Sequence, residues 1–193
     1  MDFLPVFMRL TRERVLVVGG GQVALRKVQM LMRVQAHIHL VAPEVSAALH
    51  KLLAAAEHRI DERQFAEADL ADVKLVIAAT DDAEVNTRVY SAASKLNLPV
   101  NVVDQPALCS FIFPSIVDLS PLLIAVSSGG SSPVLARVLR ARLETFIPSA
   151  YGSLAALLGK YRQQAKNTFS SLTQRMRFWE GIVNGAVGEL MLS

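Results

Sequence analysis

The chain has 193 residues, 52% of them apolar and 19% charged, which is enough for one large domain or for one domain with a helical appendage. Its formal net charge of +3 is too small to indicate nucleic-acid binding, and no apolar run is long enough to span a membrane. The single cysteine, Cys109, excludes an internal disulfide, and the first residues do not resemble a signal peptide, so we expect a cytoplasmic protein.

Apolar runs alternate with helical patterns in the first half of the chain. The predicted elements are strand 15–18, helix 22–33, strand 38–42, helix 45–57, strand 73–79, helix 82–96 and strand 100–103. The first run contains no polar residue, which is typical of a central parallel strand buried on both faces. This order predicts an α/β fold with a Rossmann-like, doubly wound parallel sheet and right-handed crossovers.

The pattern changes after residue 104. Short apolar runs at 111–117 and 122–127, separated by the turn-like DLSP, predict a small strand pair. Ser132 and Pro133 are typical of the cap and the first residue of a helix, here 134–146. The rest of the chain predicts an all-helical tail, whose apolar positions need a further surface from a partner subunit or from the main domain.

Three glycines join the first strand to the first helix. The segment Gly19-Gly20-Gly21-Gln22-Val23-Ala24 fits the dinucleotide fingerprint G-x-G-x-x-A in its required strand–helix context. Glycine permits the tight turn and a close approach of the backbone to a pyrophosphate, and the N–H groups at the helix start favour an anion. We therefore expect Gly19, Gly21, Gln22 and Val23 to bind a dinucleotide. The alternative is a glycine turn used only for packing.

An acidic residue after the second strand is the next feature of such a site, because it bonds the ribose hydroxyls. Pro43 and Glu44 follow that strand, and we expect both to contact the cofactor. No arginine stands just after Glu44 to bind a 2′-phosphate, which favours NAD over NADP.

Polar residues also stand at the ends of the last two predicted strands. Thr80 and Asp81 follow one strand, Asn101 lies within the next, and Asp104 comes directly after it. Open α/β sheets bind ligands at the carboxyl ends of their strands, so we expect Thr80, Asp81 and Asn101 to line the cofactor cleft. The alternatives are a helix cap at Thr80 or Asp81 and a simple turn residue at Asp104.

No metal-binding pattern is present in the sequence. It contains no CxxC, no HExxH and no tight cluster of histidine and cysteine. His37 and His39 share one face of a strand, which we interpret as a polar strand face. We therefore expect no structural metal.

The chain is basic after residue 128, since that part contains eight basic residues and three acidic ones. This pattern fits either solvated helix faces or a surface for an acidic ligand. Ser127, Ser128 and Gly129 lie in a loop before a helix that carries Arg137 and Arg140 on one face. We expect these residues to bind substrate carboxylates, the alternative being a flexible loop. A phosphate on Ser128 would fill the same pocket with negative charge, so Ser128 is also a predicted phosphorylation site.

Six motifs, in order, resemble those of one known family. They are LPVF (4–7), VLVVGGGQVALRK (15–27), VAPE (41–44), AATDD (78–82) with Asn86, NVVDQPALCSFIFPSIVD (101–118) and AVSSGGSSPVLARVLR (125–140). Over residues 2–148 the chain resembles the precorrin-2 dehydrogenase/sirohydrochlorin ferrochelatase module of siroheme synthase, with a weaker likeness at RFWE (177–180). Bifunctional members continue into a uroporphyrinogen methyltransferase domain, so the chain resembles their front part or a stand-alone version.

The resemblance implies two reactions on a tetrapyrrole. Precorrin-2 is oxidised to sirohydrochlorin with NAD as the hydride acceptor, and ferrous iron is then inserted to give siroheme. Asp104 corresponds to the family's general base, and the helical tail to its homodimer interface. We accordingly expect an NAD-binding domain at 1–113, a dimerisation and substrate segment at 114–148, and a helical tail at 149–193.

One position departs from the family pattern, and two other functions stay open. The family's PSIVD segment is usually followed by an arginine, whereas this chain has Leu119, so one substrate-binding cation is missing there. The alternatives are a non-catalytic NAD(H)-sensing dimer and a dehydrogenase without chelatase activity.

Overall fold

The computed structural model describes residues 2–54, 57–185 and 188–189. The chain divides into two compact units, with the division between Ile112 and Phe113. The predicted division into three segments stays a prediction.

The first unit contains, in its described part, a five-stranded parallel sheet with strand order β3-β2-β1-β4-β5. The strands are β1 (Arg14–Val18), β2 (His37–Val41), β3 (Arg59–Asp61), β4 (Leu75–Ala78) and β5 (Val100–Val102). Its α-helices are α1 (Gln22–Arg33), α2 (Ala47–Leu52) and α3 (Ala83–Lys95). The predicted α/β fold with a doubly wound parallel sheet is confirmed.

Strand β1 forms the centre of the sheet because it pairs with β2 on one side and β4 on the other. Its residues 15–18 are almost completely buried. Helix α1 buries Ala24, Val28 and Leu31, which recur at the helical spacing. Helix α3 packs Val89, Ala92 and Ala93 into a core cluster that includes alternate residues of β1. In this core, alternate residues of the strand therefore pack against helix residues spaced three or four apart.

Two details differ from the sequence prediction. Strand β3 was not predicted, because the three residues RID are short and polar and gain order only by pairing with β2. The second helix was predicted over 45–57 but covers only Ala47–Leu52, since the chain must leave the helix in time to pair β3 from Arg59 onward. Ala55 and Ala56, within that prediction, lie outside the described residues.

The second unit begins with a hairpin of two antiparallel strands, β6 (Ser115–Leu119) and β7 (Leu122–Val126), which confirms the predicted strand pair. Three helices follow: α4 (Pro133–Phe146), α5 (Ala150–Thr168) and α6 (Leu172–Val183). The Ser132 hydroxyl accepts the Leu135 N–H at 3.2 Å, so the predicted cap is confirmed.

The helical tail is interrupted between α5 and α6, where Ser171 caps the second of these helices. Residues 186–187 and 190–193 of the predicted tail lie outside the described part. No helix in the ranges that the structure describes has both the length and the apolarity to cross a bilayer.

The contact between α5 and the hairpin yields a stability prediction. A Cβ on Gly152 would overlap the Leu119 carbonyl oxygen, whereas a Cβ on Gly159 of the same helix would have no heavy atom of the described residues within 4 Å. Gly152→Ala is expected to lower the free energy of unfolding by about 1–3 kcal/mol through overpacking. Gly159→Ala, the matched control, should instead raise it by up to about 1 kcal/mol. Chemical denaturation of both variants checks this, and equal effects would contradict the close helix–hairpin approach.

Candidate active site

The glycine turn after β1 packs against the segments that follow two other strands, β2 and β4. Gly19 has φ +130°, a backbone conformation that side chains rarely adopt, and a Cβ there would overlap the Ala79 carbonyl oxygen after β4. A Cβ on Gly20 would overlap the Glu44 carbonyl oxygen after β2. Backbone packing alone therefore requires glycine at both positions, whether or not a ligand binds there.

Gly21 differs from its two neighbours, because a Cβ built on it meets no heavy atom of the described residues within 4 Å. It is the N-cap of α1, has extended backbone, and provides no side-chain cap. The first turn of α1 contains no acidic residue, so no carboxylate of that turn competes for the N–H groups of Gln22 and Val23. An uncapped helix start beside open space fits a diphosphate, since the N–H groups and the helix dipole both favour an anion.

The predicted ribose-binding segment lies against this turn. Glu44 is exposed, and its backbone packs on Gly20, as does that of Val45. The Ser46 N–H donates to the Gly20 carbonyl at 3.0 Å, which ties the Pro43–Glu44 segment to the glycines. The Ser46 hydroxyl is buried without a partner among the described residues, a feature that the sequence did not reveal. The acid and the glycine turn are thus brought together, as the fingerprint requires.

Thr80 is held at the end of β4 by a buried amide. The Asn86 side chain is 3% exposed and donates to the Thr80 carbonyl at 2.9 Å, and the Thr80 hydroxyl donates to the Asn86 amide oxygen at 3.0 Å. Asp82, rather than Thr80 or Asp81, caps α3 by accepting the N–H groups of Glu84 and Val85. Asp81 remains exposed at the strand edge. Asn86 had no predicted role, although it lies four residues after the AATDD motif and accompanies that motif in the family resemblance.

The loop after β5 is bound back onto that strand at several points. Buried Asn101 donates its amide N–H to the Phe111 carbonyl at 3.0 Å and contacts the Cys109 sulfur at 3.4 Å. The Cys109 thiol lies 3.2 Å from the Val102 carbonyl oxygen, and the Ser110 hydroxyl accepts the Val100 N–H at 2.8 Å. The amide nitrogen of Asn101 therefore orders the loop, while its proposed contact with the cofactor stays a prediction.

Asp104 begins this loop as an exposed residue with φ +60°. Aspartate tolerates the left-handed conformation better than most residues, and its carboxylate is available at the edge where the strands end. A residue held in this conformation by an anchored loop suits the role of a base with a fixed position.

Lys27 of α1 is a cation within electrostatic range of this acidic edge. Partial burial lowers the pKa of the Lys27 ammonium and the Arg26 charge lowers it further, whereas the Asp104 carboxylate and Cys109 act in the opposite direction. Burial also raises the pKa of the Cys109 thiol, so this cysteine is not an activated nucleophile. The three groups form a cluster within the first unit that the sequence alone did not suggest.

The predicted substrate-binding residues all lie in the second unit. The Ser127 hydroxyl accepts the Gly129 N–H at 3.1 Å, and the Ser128 hydroxyl accepts the Ser132 N–H at 2.8 Å, so the loop is ordered by its own serines. Arg137 is exposed on α4, whereas Arg140 forms an ion pair with Glu144 one turn away. Arg137 is therefore the more available of the two arginines for a carboxylate.

A polar cluster lies at the edge of the sheet formed by β3. The Asp61 carboxylate accepts bonds from Arg59 at 2.9 Å and Arg63 at 2.8 Å, and lies 3.1 Å from the His39 ring. Arg63 also pairs with buried Asp69. Ligand atoms of His39, Asp61 and Asp69 lie within 4.8 Å of one another, a spacing that can hold a metal ion. Because two guanidinium groups already neutralise the carboxylates, we interpret the cluster as an ion-pair network.

Comparison with known families decides the class of this protein. A family model for NAD(P)-binding domains matches residues 6–115, which is more than half of the chain. The chain belongs to this NAD(P)-binding family. Models for the central part of the sirohaem biosynthesis protein and for the sirohaem synthase dimerisation region match residues 120–145 and 150–193.

Similar proteins agree with the family match. Siroheme synthases of Nitrosospira multiformis and Methylobacillus flagellatus are 51% and 52% identical to the chain over its full length. The chain spans only 42% and 41% of those relatives. The solved structure of SirC, a precorrin-2 dehydrogenase, superposes with a TM-score of 0.79 at 26% identity, covering 94% of this chain and 89% of SirC. These findings confirm the resemblance to siroheme synthase, and they support NAD as the cofactor and a dimeric assembly.

The open space at Gly21 of this NAD(P)-binding chain yields a binding prediction. Gly21→Asp should fold normally, because the position has extended backbone and room for a side chain. Its carboxylate would lie where a diphosphate is expected and should weaken NAD⁺ binding about a hundredfold or more. Isothermal calorimetry measures the affinity.

Gly20→Ala is the matched contrast, because its Cβ overlaps the Glu44 carbonyl oxygen and should lower the unfolding temperature. Gly21→Ala should leave that temperature nearly unchanged. Wild-type affinity of Gly21→Asp for NAD⁺ would contradict this location of the diphosphate.

The ion-pair network predicts a dependence of stability on pH. The hydrogen bond from Arg59, opposed by partial burial and supported by His39, lowers the pKa of Asp61 from 3.8 to about 2. A lowered pKa in the folded state adds stability that is complete above pH 4 and is lost as the pH falls towards 2. Asp61→Asn should therefore lose less stability than the wild type between about pH 4 and 2. Urea denaturation across this range, with exposed Asp72→Asn as the control, measures the difference, and parallel curves for Asp61→Asn and the wild type would refute it.

Proposed function

We propose that the chain catalyses the NAD-dependent oxidation of precorrin-2 to sirohydrochlorin. The observation that carries this proposal is the location of Asp104 at the same strand edge as the open helix start beside Gly21, within the first unit. The likeness to SirC over 94% of the chain supports the choice of substrate, since SirC is named a precorrin-2 dehydrogenase.

The proposed reaction removes two electrons and two protons from the macrocycle. Bound NAD⁺ supplies the acceptor for a hydride, so the substrate must also lose one proton to a base. Asp104 is proposed as that base for two reasons. Its backbone is held in a defined left-handed conformation, and its exposed carboxylate can return the proton to solvent. Gly19, Gly21, Gln22 and Val23 bind the diphosphate, while Pro43, Glu44, Thr80, Asp81 and Asn101 border the rest of the cofactor.

The macrocycle carries many carboxylates, and the second unit offers groups that recognise them. We propose that Arg137, and Arg140 once it exchanges Glu144, bind these carboxylates together with the loop of Ser127, Ser128 and Gly129. Phosphorylation of Ser128 would place a competing negative charge in this loop, which makes it a candidate regulatory site. Leu119 supplies no cation, so the arginines of α4 must take a larger share of the binding.

Chelation is the second proposed activity, with ferrous iron as a substrate rather than a resident cofactor. Inserting Fe²⁺ into sirohydrochlorin releases two pyrrole N–H protons, and exposed Asp104 can accept them one at a time, passing the first to solvent before it accepts the second. The similarity to siroheme synthases supports this step. The macrocycle nitrogens supply the final iron ligands, so the protein needs no ligand set of its own.

We propose a cytoplasmic homodimer as the active form. Helices α5 and α6 form a largely apolar groove of about 430 Å³ that includes Leu157, Phe178 and Trp179. Apolar side chains such as Leu172 and Met176 remain exposed on α6. The match to a dimerisation region over residues 150–193 supports a second copy of the chain as their cover.

An absorbance assay of NADH formation tests the proposed oxidation. Wild-type protein with NAD⁺ and precorrin-2 should produce NADH in a 1:1 ratio to sirohydrochlorin, and addition of Fe²⁺ should then give the siroheme spectrum. Asp104→Asn keeps the left-handed backbone and the side-chain shape but removes the charge, so it should lower kcat by about 10²–10⁴-fold while NAD⁺ affinity persists. Asp104→Ala should lose activity in the same way.

Asp72→Asn is the matched control, because Asp72 is also an exposed aspartate with positive φ. It should retain wild-type activity. A wild type that binds NAD⁺ but never reduces it would favour the sensing module, and an active Asp104→Asn would remove Asp104 from the mechanism. NADH formation without siroheme would limit the function to dehydrogenation.

A further inference from the structure

Lys27 lies on the second turn of α1, on the side of the helix next to its buried face. It is three residues after buried Ala24 and four before buried Leu31, and is itself only partly exposed. Side chains of a helix tilt towards its N-terminus, which here lies at the edge of the sheet where the strands end. Lys27 is about 7 Å along the axis from the helix start, so its four-carbon side chain can extend to that edge.

The charges around Lys27 identify what it meets there. Asp104 after β5 and Cys109 in the following loop both interact electrostatically with the Lys27 ammonium, and Arg26 on the same helix repels it. Two further carboxylates follow β4 at the same edge of the sheet: Asp81 is exposed, and Asp82 caps α3. Lys27 thus combines partial burial with an attractive interaction to Asp104.

Binding of a large flat substrate changes the surroundings of Asp104. In the free protein its carboxylate is exposed to water. A macrocycle lying against it removes that water, and loss of solvation favours the neutral acid, which cannot accept a proton. A nearby cation opposes this effect, and its attraction to the carboxylate strengthens as the local dielectric constant falls.

We propose that Lys27 is a positioning residue that keeps the Asp104 carboxylate ionised and oriented while the macrocycle covers it. This inference rests on the proposed oxidation. Lys27 retains its proton throughout; Asp104 alone receives the proton that the macrocycle loses, and releases it to solvent when the product leaves. The same pair would serve the release of pyrrole protons.

The pH profile of kcat for precorrin-2 oxidation tests this role, because kcat reports the ionisations of the substrate-bound enzyme, in which the macrocycle covers Asp104. Lys27→Met preserves the length of the side chain without its charge, and should move the acid limb of the profile to higher pH by roughly one unit. At a pH on that limb the rate should fall about tenfold. Lys27→Arg should restore the wild-type position of the limb. NAD⁺ affinity of Lys27→Met, measured by calorimetry, should stay within about twofold of the wild type, because Lys27 lies beyond the first turn of α1.

Arg26→Met is the matched control, since it removes an exposed cation from the adjacent position and should leave the profile unchanged. A wild-type profile in Lys27→Met would overturn the role of Lys27 while leaving the proposed oxidation intact. Loss of NAD⁺ affinity in parallel with activity would also overturn it, by showing a role in cofactor binding or folding. If Lys27→Met does not fold, Lys27→Gln provides the same comparison. Failure of the wild type to form NADH would instead reject the proposed function.

Discussion

The close approach of three backbone segments at the turn after β1 is the constraint on which the site depends. Gly19 packs against the end of β4 and Gly20 against the segment after β2, with no space for a Cβ at either position. This crowding directs the start of α1 towards the strand edge and leaves Gly21 facing open space. The N–H groups that a helix cannot satisfy internally thereby stay accessible to an anion, and the first turn contains no acidic side chain that would compete for them.

The rest of the first unit uses buried polar groups to hold loops at this edge. Asn86 fixes Thr80, and Asn101 with Cys109 and Ser110 fixes the loop that begins at Asp104. A buried amide without partners is costly, so these residues specify one loop conformation more strongly than apolar residues would. The Asp104 carboxylate can then stay exposed to solvent, because buried neighbouring residues set the position of its loop.

Charged residues are distributed unevenly over the molecule. At the β3 edge, Arg59 and Arg63 pair with acidic residues and hold a short strand in the sheet. At the carboxyl ends of β4 and β5, Asp81 and Asp104 are exposed, with Lys27 near Asp104. In the second unit, Arg137 is exposed and basic residues predominate. A small net charge therefore conceals separate surfaces, each suited to a different ligand.

The sequence by itself determined the order of the helices and of every strand except β3, the dinucleotide fingerprint, the helix cap at Ser132 and the position of Asp104 after a strand. These features depend on residues close together in the chain, where periodicity and backbone preference act directly. Only the tertiary structure decided that β3 joins the sheet, that Asn101 bonds the loop through Phe111, and that Lys27 comes within electrostatic range of Asp104. Those relations join residues brought together by chain folding, and neither a three-residue strand such as Arg59–Asp61 nor a single lysine carries a local signal for such a partner.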